Sequence, residues 1–488
     1  MSDGDVEISA LLAARRAKLE RLRAEGVEPF PHDFDGVEAI EAVRAAHGDL
    51  ATGGETDVAH RVAGRIAARR DAGKAAFLDL VDRSGRIQLL VRVNELGAEG
   101  FERLVGLDIG DLIGVDGTAM KTRSGELSLR VTAFTLLAKS LRPPPDDYHG
   151  LSDVETRFRR RELDLIANAE TRELFVARAR IISAVRRALD EDGFIEVETP
   201  VLQPLYGGAA ARPFLTHHNA LDRTLYLRIA TELYLKRAIV GGLERVYELG
   251  KDFRNEGLSP KHNPEFTMVE WYEAYADYED AAARLEAVVG AAAAAVTEPV
   301  VDFSAPWRRV TLAAAIAEQT GVDVLAERSR EALVAATRAR GLSVATADRS
   351  WAGLVDELLS TYVEPTLIEP TFVFDYPVEL SPLAKAHRSK PGLVERWEAY
   401  AGGIEISNAF SELNDPDEQR ERFLELHRNA TTTEAEEAPP LDEAFLEALE
   451  QGMPPTAGVG LGIDRLVMLL TGRRTIREVV LFPAMRDT

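Results

Sequence analysis

The chain has 488 residues, 45% of them hydrophobic and 28% charged, with no cysteine and a formal net charge of −23. That length implies roughly two to four domains of a soluble globular protein, and the missing thiols exclude disulfides, thiolate metal sites and cysteine nucleophiles. The acidic balance argues against a polyanionic partner for the chain as a whole, yet residues 61–90 hold seven basic against three acidic residues, which is either a solvated charged face or a local module for RNA.

The first residues, MSDGDVEISA, lack the basic start and apolar run of a secretion signal. The longest apolar stretch, around Ala287 to Val296, is far shorter than the roughly 20 residues that cross a bilayer. The expected compartment is therefore the cytoplasm, with no membrane partner. Residues 7–25 place Ile8, Leu11, Leu12, Leu19 and Leu22 at helical spacing and predict an amphipathic helix within a 1–59 extension. From Arg61 onward VAGRIAA, AAFLDLVD, RIQLLVRV, DLIGVDGTAM and ELSLRVTAF are short, β-branched segments separated by glycine-containing turns. Five such strands over 60–140 predict a small Greek-key barrel of the OB type, which commonly binds single-stranded nucleic acid. The proline-rich LRPPPDDYHG marks a linker at 141–152.

The remainder, 153–488, reads as α+β. Residues 171–192 predict a long helix with a stripe of Leu174, Ala177, Ile181, Val185 and Leu189. GFIEVETPVL reads as a strand closed by Pro200, and 245–254 and 264–275 as two further strands. Residues 281–360, rich in alanine and arginine, predict helices inserted between strand segments, with an insertion at about 300–365, and TTTEAEEAPP (431–440) predicts a loop. GVGLGID, from Gly458 to Asp464, has the wrong spacing for a dinucleotide fingerprint, and PPTA rather than a clear strand precedes it. Its glycines are expected to let backbone pass close to a ligand before a helix starting at IDRLVMLL. There is no GxxxxGK[ST] loop, HExxH or GxSxG elbow.

Three separated segments carry the chemistry: Gly193 to Leu202, Phe253 to Tyr278 (FRNEGLSPKHNPEFTMVEWYEAYADY), and GVGLGIDRLVML followed by IREVVLFPAMR. Together these resemble the class II aminoacyl-tRNA synthetases. FRNEG…HNPEFTM…AYADY, GGAAARPF and NAFSELND resemble the lysine-specific members, and the resemblance runs from about residue 7 to the C-terminus. It implies an N-terminal OB-fold anticodon-binding barrel, and a class II catalytic domain built on an antiparallel sheet with flanking helices. The implied reaction is activation of L-lysine by ATP with Mg2+, followed by transfer to tRNA-Lys. It also implies a homodimer formed largely through residues 176–200.

Such activation is an in-line displacement at the α-phosphorus, which needs positioning and charge neutralisation and no protein nucleophile. The resemblance assigns catalysis to Arg254, whose planar fork suits a bridge from amino-acid carboxylate to α-phosphate, and to Arg465 at the other end of the triphosphate. Glu256, His262, Asn263 and Phe266 match nucleotide-binding positions, with the Phe266 ring suited to the base. Lysine has two ammonium groups and a carboxylate. Gly208 and Glu232 match the α-amino site, Glu270, Glu412 and the Tyr272 hydroxyl the ε-amino end, Asn408 the carboxylate, and Phe410 the aliphatic stem. Glu398 and Glu405 are hard oxygen ligands suited to Mg2+. Their spacing also equals two helical turns, although Gly402–Gly403 interrupts a helix. In the barrel, Arg70, Phe77, Gln88 and Glu126 match positions that read the anticodon by stacking and by hydrogen bonds to base edges.

Taken singly, each of these arginines and glutamates is more ordinarily a salt-bridge partner, and each phenylalanine a core residue. Two departures stand out: Thr231 where proline usually precedes the ELY glutamate, and Lys251–Asp252 where an arginine–asparagine pair is commoner. The rival readings are an aspartate or asparagine synthetase, a lysyl transferase acting on protein, and an inactive RNA-binding paralogue. The glutamates, the N-terminal barrel, and the intact Arg254, Arg465, Glu398 and Glu405 argue against these in turn.

Overall fold

A computed structural model describes residues 3–145, 151–345, 349–429 and 440–486. Most of the 431–440 segment, and 146–150 of the proline-rich break, lie outside the described residues. Two compact units are present, Met1–Asn168 and Ala169–Thr488.

In the first unit the helix Asp3–Ala24 buries Leu19 and Leu22 of the expected stripe, partly buries Leu12 and leaves Leu11 exposed. Strands β1 (Glu55–Ala72), β2 (Ala75–Val81), β3 (Arg86–Arg92), β4 (Leu112–Lys121) and β5 (Leu127–Ala138) close into a barrel in the order β1-β2-β3-β5-β4. Alternation puts Val62, Ile66, Leu78, Leu80, Ile87, Leu89, Val91, Leu129 and Val131 into its core. A helix not foreseen from the sequence, Val93–Val105, lies between β3 and β4.

The second unit contains β6 (Ile195–Glu196), β7 (Leu202–Gln203), β8 (Leu215–His218), β9 (Arg223–Leu227), β10 (Arg245–Phe253) and β11 (Glu265–Ala274). After these come β12 (Arg308–Thr311), β13 (Thr371–Pro377), β14 (Leu393–Ala401), β15 (Ile404–Ser411) and β16 (Thr456–Gly462). Eight of them form one sheet in the order β12-β13-β14-β15-β16-β11-β10-β6, antiparallel except at β12/β13 and β10/β6, and β7-β9-β8 form a small second sheet. GFIEVETPVL does not form the continuous strand expected of it. After Val197 the Thr199 N–H donates to the Glu248 carboxylate at 3.0 Å rather than to a neighbouring strand, and Pro200 has no N–H to give.

One face of the large sheet is the main core. Trp397, Ala409, Val459, Trp271 and Tyr247 stand in register across β14, β15, β16, β11 and β10, and all are buried. The helices Ala169–Glu191 and Tyr278–Ala294 supply Leu174, Ile181, Val185, Leu189, Leu285 and Val288 to that core. The second of these helices therefore belongs to the central layers and not to the insertion. Between β12 and β13 the helices Leu312–Thr320, Arg330–Ala339 and Trp351–Leu358 gather a separate small core around Ile316, Leu333 and Leu354. Among the described residues no helix is long and apolar enough to cross a membrane.

Candidate active site

The opposite face of the same strands is polar, and register fixes its layout. Arg396, Phe410, Gly458 and Tyr272 form one row across β14, β15, β16 and β11, and Glu398, Asn408, Gly460 and Glu270 form the next. Residues two apart on a strand share a face, so both rows face the same side. The glycines in the middle of each row leave a hollow there, within a cavity of about 890 Å³. A Cβ on Gly458 would stand 2.0 Å from Glu412 Oε1 and 2.4 Å from Tyr272 Cε1. GVGLG thus lies within the inner strand β16, which already begins at Thr456 and Ala457 of the PPTA stretch, against the expectation of no clear strand there, and the helix Ile463–Thr471 follows. Its glycines make room for protein side chains.

At one end of the cavity lie the buried carboxylates of Glu232, Glu270 and Glu412 beside Tyr272. Glu232 begins the helix Glu232–Val240, and Gly208 (φ +84°) passes close enough that a Cβ there would stand 3.0 Å from Glu232 Cβ. Glu412 follows directly after β15. The fully buried Lys236 ammonium lies 2.6 Å from Glu232 Oε1 and 2.5 Å from Glu412 Oε2. Neither Glu412 oxygen has a partner in good hydrogen-bond geometry. Burial pushes the Glu270 carboxyl up to about 8, with Asp252 and Glu232 adding to the rise. Burial also raises Glu232 and Glu412, against the pull of Lys236. Glu232 and Glu412 thus share the Lys236 cation, with Arg396 also acting on Glu232, while Glu270 stands beside them with acidic neighbours, and the arrangement attracts further positive charge. Thr231 supplies something a proline at that position lacks, a backbone N–H 3.4 Å from Glu270 Oε1. The other departure, Asp252, is buried in an ion pair with Arg228 at 3.2 Å.

The other end is basic. Arg254, at the end of β10, lies with its guanidinium 5.1 Å from the centre of the Phe266 ring. Among the described residues it forms no ion pair, which leaves the fork available for an anion. Arg465, near the start of its helix, donates to the Glu405 carboxylate at 3.0 Å and lies 3.4 Å from His262 Nε2. Burial, helped by Arg465 and Lys261, lowers His262 to about 4, so the ring is neutral near pH 7. Glu256 is exposed on the cavity rim. Asn263 lines the cavity, but its amide donates to the Glu265 carbonyl at 2.6 Å and accepts from the Ala484 N–H at 3.3 Å. These two bonds fix the side chain at the rim and leave one amide N–H and one lone pair of Asn263 unassigned. Asn408 accepts from Arg396 Nε at 3.1 Å, and the Arg396 guanidinium lies over Tyr376 and Phe410.

In the barrel unit, Arg70 stands opposite Phe77, and Gln88 opposite Asp79 two residues along, so all lie on the outer face of β1, β2 and β3. Gln88 Oε1 accepts from the Ser128 hydroxyl at 3.0 Å. Glu126 is exposed, ending the turn between β4 and β5. Phe77 is only half-buried while its neighbours Ala76 and Leu78 fill the core, so it is not the interior phenylalanine that composition alone favours.

Residues 153–486 match the family described as tRNA synthetases class II (D, K and N), and residues 60–137 match the OB-fold nucleic acid binding domain. The chain belongs to the class II tRNA synthetases of the D, K and N group. It is 53% identical to a lysine–tRNA ligase of Roseiflexus castenholzii, over 99% of both chains. It is 49% identical to one of Dehalococcoides mccartyi, over 98% of this chain and 97% of the relative. A lysine–tRNA ligase of Synechococcus sp. is 51% identical over 98% of this chain and 99% of its own.

For a synthetase of this group the metal question turns on Glu398 and Glu405. They stand on the two strands of the β14–β15 hairpin, turned at Gly402–Gly403 (φ +59° and +74°), and the alternative of a solvent-facing helical pair does not hold. Glu398 is approached by Arg396 and accepts from the hydroxyls of Tyr376, at 2.7 Å, and Tyr400. Among the described residues no cluster of three or more His, Asp or Glu could hold a metal by itself. Glu405 lines the cavity and Glu398 lies behind it with both oxygens already accepting from Arg396, Tyr376 and Tyr400, so of the two hard carboxylates Glu405 is the one open to a Mg2+ whose shell nucleotide oxygens would complete. Lys236, Arg396 and Gly458 were missed from sequence. The one available signal was the i, i+4 spacing of Glu232 and Lys236 on a helix.

Proposed function

We propose that the chain activates L-lysine with ATP to lysyl-adenylate, releasing pyrophosphate, and then transfers lysine to the 3′-terminal adenosine of tRNA-Lys. The observation that carries this reading is the acidity of that end: Glu232, Glu270 and Glu412 are all buried there, Lys236 pairs with Glu232 and Glu412, and no ion pair is formed by Glu270 among the described residues. A substrate with two ammonium groups relieves that excess, whereas aspartate would add to it and asparagine would leave it standing. Glu232 with the backbone near Gly208 takes the α-ammonium. Glu412, Glu270 and Tyr272 take the ε-ammonium, and Phe410 lies along the stem.

The Arg254 fork joins the lysine carboxylate, assisted by Asn408, to the α-phosphate. That contact brings the attacking oxygen in line and offsets the charge that builds up during displacement. Phe266 stacks on adenine, Arg465 with neutral His262 holds the far phosphates, and rim Glu256 and Asn263 contact the nucleotide. Glu398 and Glu405 would hold Mg2+, which when bound neutralises phosphate oxygens. Arg70, Phe77, Gln88 and Glu126 on the barrel of residues 60–140 read the anticodon, and residues 153–488 carry the catalysis. The reaction is cytoplasmic. The working form is a homodimer, supported by the exposed apolar Val176 and Ile195 within its proposed interface of residues 176–200.

The test is ATP–pyrophosphate exchange with each of the twenty amino acids. Exchange that depends on lysine alone is the expected result. Exchange driven by aspartate or asparagine, or none with any amino acid, overturns the reading.

A further inference from the structure

The cation enclosed in the acidic end belongs to the protein, and the reaction as derived gives it no step. Lys236 is fully buried on the first turns of the helix Glu232–Val240, and its ammonium is shared between Glu232, four residues earlier, and Glu412, which comes from the strand side of the cavity. One ammonium therefore ties together the two carboxylates that, in the lysine reading, receive opposite ends of the substrate. Burial pulls its pKa down, but Glu232 and Glu412 outweigh burial and raise it, so it stays charged. The oxygens it leaves free point away from the bridge. Glu232 Oε2 lies on the side of Gly208, and Glu412 Oε1 faces Gly458 and Tyr272.

We propose that Lys236 is a specificity-determining positioning residue: by bridging Glu232 and Glu412 it fixes the distance between the α-ammonium and ε-ammonium sites, and so selects lysine over shorter diamino acids. Without the bridge, two like-charged buried carboxylates would separate or share a proton, and their spacing would cease to measure the length of the substrate. Lys236 reaches neither the reacting carboxylate nor the phosphates, so its effect falls on binding and selection and not on the chemical step.

This inference rests on the lysine reading, and the experiment separates the two. Pyrophosphate exchange is measured with lysine and with ornithine for the wild type, Lys236→Met and Lys236→Arg. The Met variant keeps most of the unbranched side chain, one atom shorter, and removes the charge. Its KM for lysine is expected to rise at least tenfold, with kcat at saturating lysine and KM for ATP within about threefold of wild type. Its preference for lysine over ornithine should fall at least tenfold. Lys236→Arg, which keeps the charge on a longer fork, should restore much of the affinity while still altering the lysine-to-ornithine ratio. A Met variant with wild-type discrimination overturns the proposal, as does one in which kcat falls with KM unchanged. Should the Met variant fail to fold, the Arg variant decides: an unchanged ratio overturns the proposal and a shifted one supports it. A wild-type protein that does not exchange with lysine removes the lysine reading itself and this inference with it.

Discussion

Replacing Glu412 by glutamine keeps the shape of the acidic pocket and removes one charge, and the structure indicates how much that costs. The carboxylate is 1% exposed, with one oxygen on Lys236 and the other beside Tyr272. A glutamine there has one acceptor and one donor in place of two acceptors. If its oxygen turns to Lys236, the NH2 faces the incoming ε-ammonium, donor against donor. Breaking a buried charge pair costs about 3–5 kcal/mol. Glu270 and the Tyr272 hydroxyl remain, so the lower end applies, about 3 kcal/mol or two powers of ten in kcat/KM for lysine. The assay is lysine-dependent pyrophosphate exchange on Glu412→Gln, alongside ATP affinity, which should hold, and a thermal melt to show an intact fold. A folded, ATP-binding variant that activates lysine at the wild-type rate would refute the assignment of Glu412 to the pocket.

Other expectations follow from the same geometry. With Glu270 near 8 in the folded chain against an ordinary 4.5, its contribution to stability is full below pH 4.5 and lost as pH rises through about 8. The melting temperature of the empty protein should therefore fall across that window, saturating lysine should flatten the fall, and Glu270→Gln should abolish this part of the slope; a slope unchanged in the variant assigns the titration elsewhere. Gly458→Ala puts a methyl 2.0 Å from Glu412 Oε1, so lysine activation should drop by tenfold or more while ATP still binds, and unaltered lysine kinetics would show that the pocket is not built on this glycine. Phe77→Ala should weaken tRNA charging by roughly 1–3 kcal/mol and spare pyrophosphate exchange, whereas an equal loss in both marks a folding residue. Glu405→Gln should raise the Mg2+ needed for half-maximal exchange; an unchanged magnesium titration removes it as a ligand.

Much of this protein was legible in its sequence because the signals are local. The alternation of VAGRIAA, AAFLDLVD and RIQLLVRV dictates barrel strands, and the stripe Leu174–Leu189 dictates a long helix, since each pattern reports one face of one element. The segments FRNEG, HNPEF and GLGIDR give away the chemistry, because phosphate and carboxylate recognition need arginine forks and few other groups. The sequence could not say which residues from distant segments meet. Tyr272, Phe410 and Gly458 lie far apart in the chain, and only the register of β11, β15 and β16 puts them in one row. GFIEVETPVL reads as a strand by composition, yet a side-chain acceptor, Glu248, takes the Thr199 N–H that a neighbouring strand would have used. Lys236 looks like an ordinary helical lysine until the fold buries it between Glu232 and Glu412. Sequence determines the elements and the reactive groups. Which charges share one dry space is settled by tertiary packing, because desolvation and Coulomb coupling depend on distance through space and not along the chain.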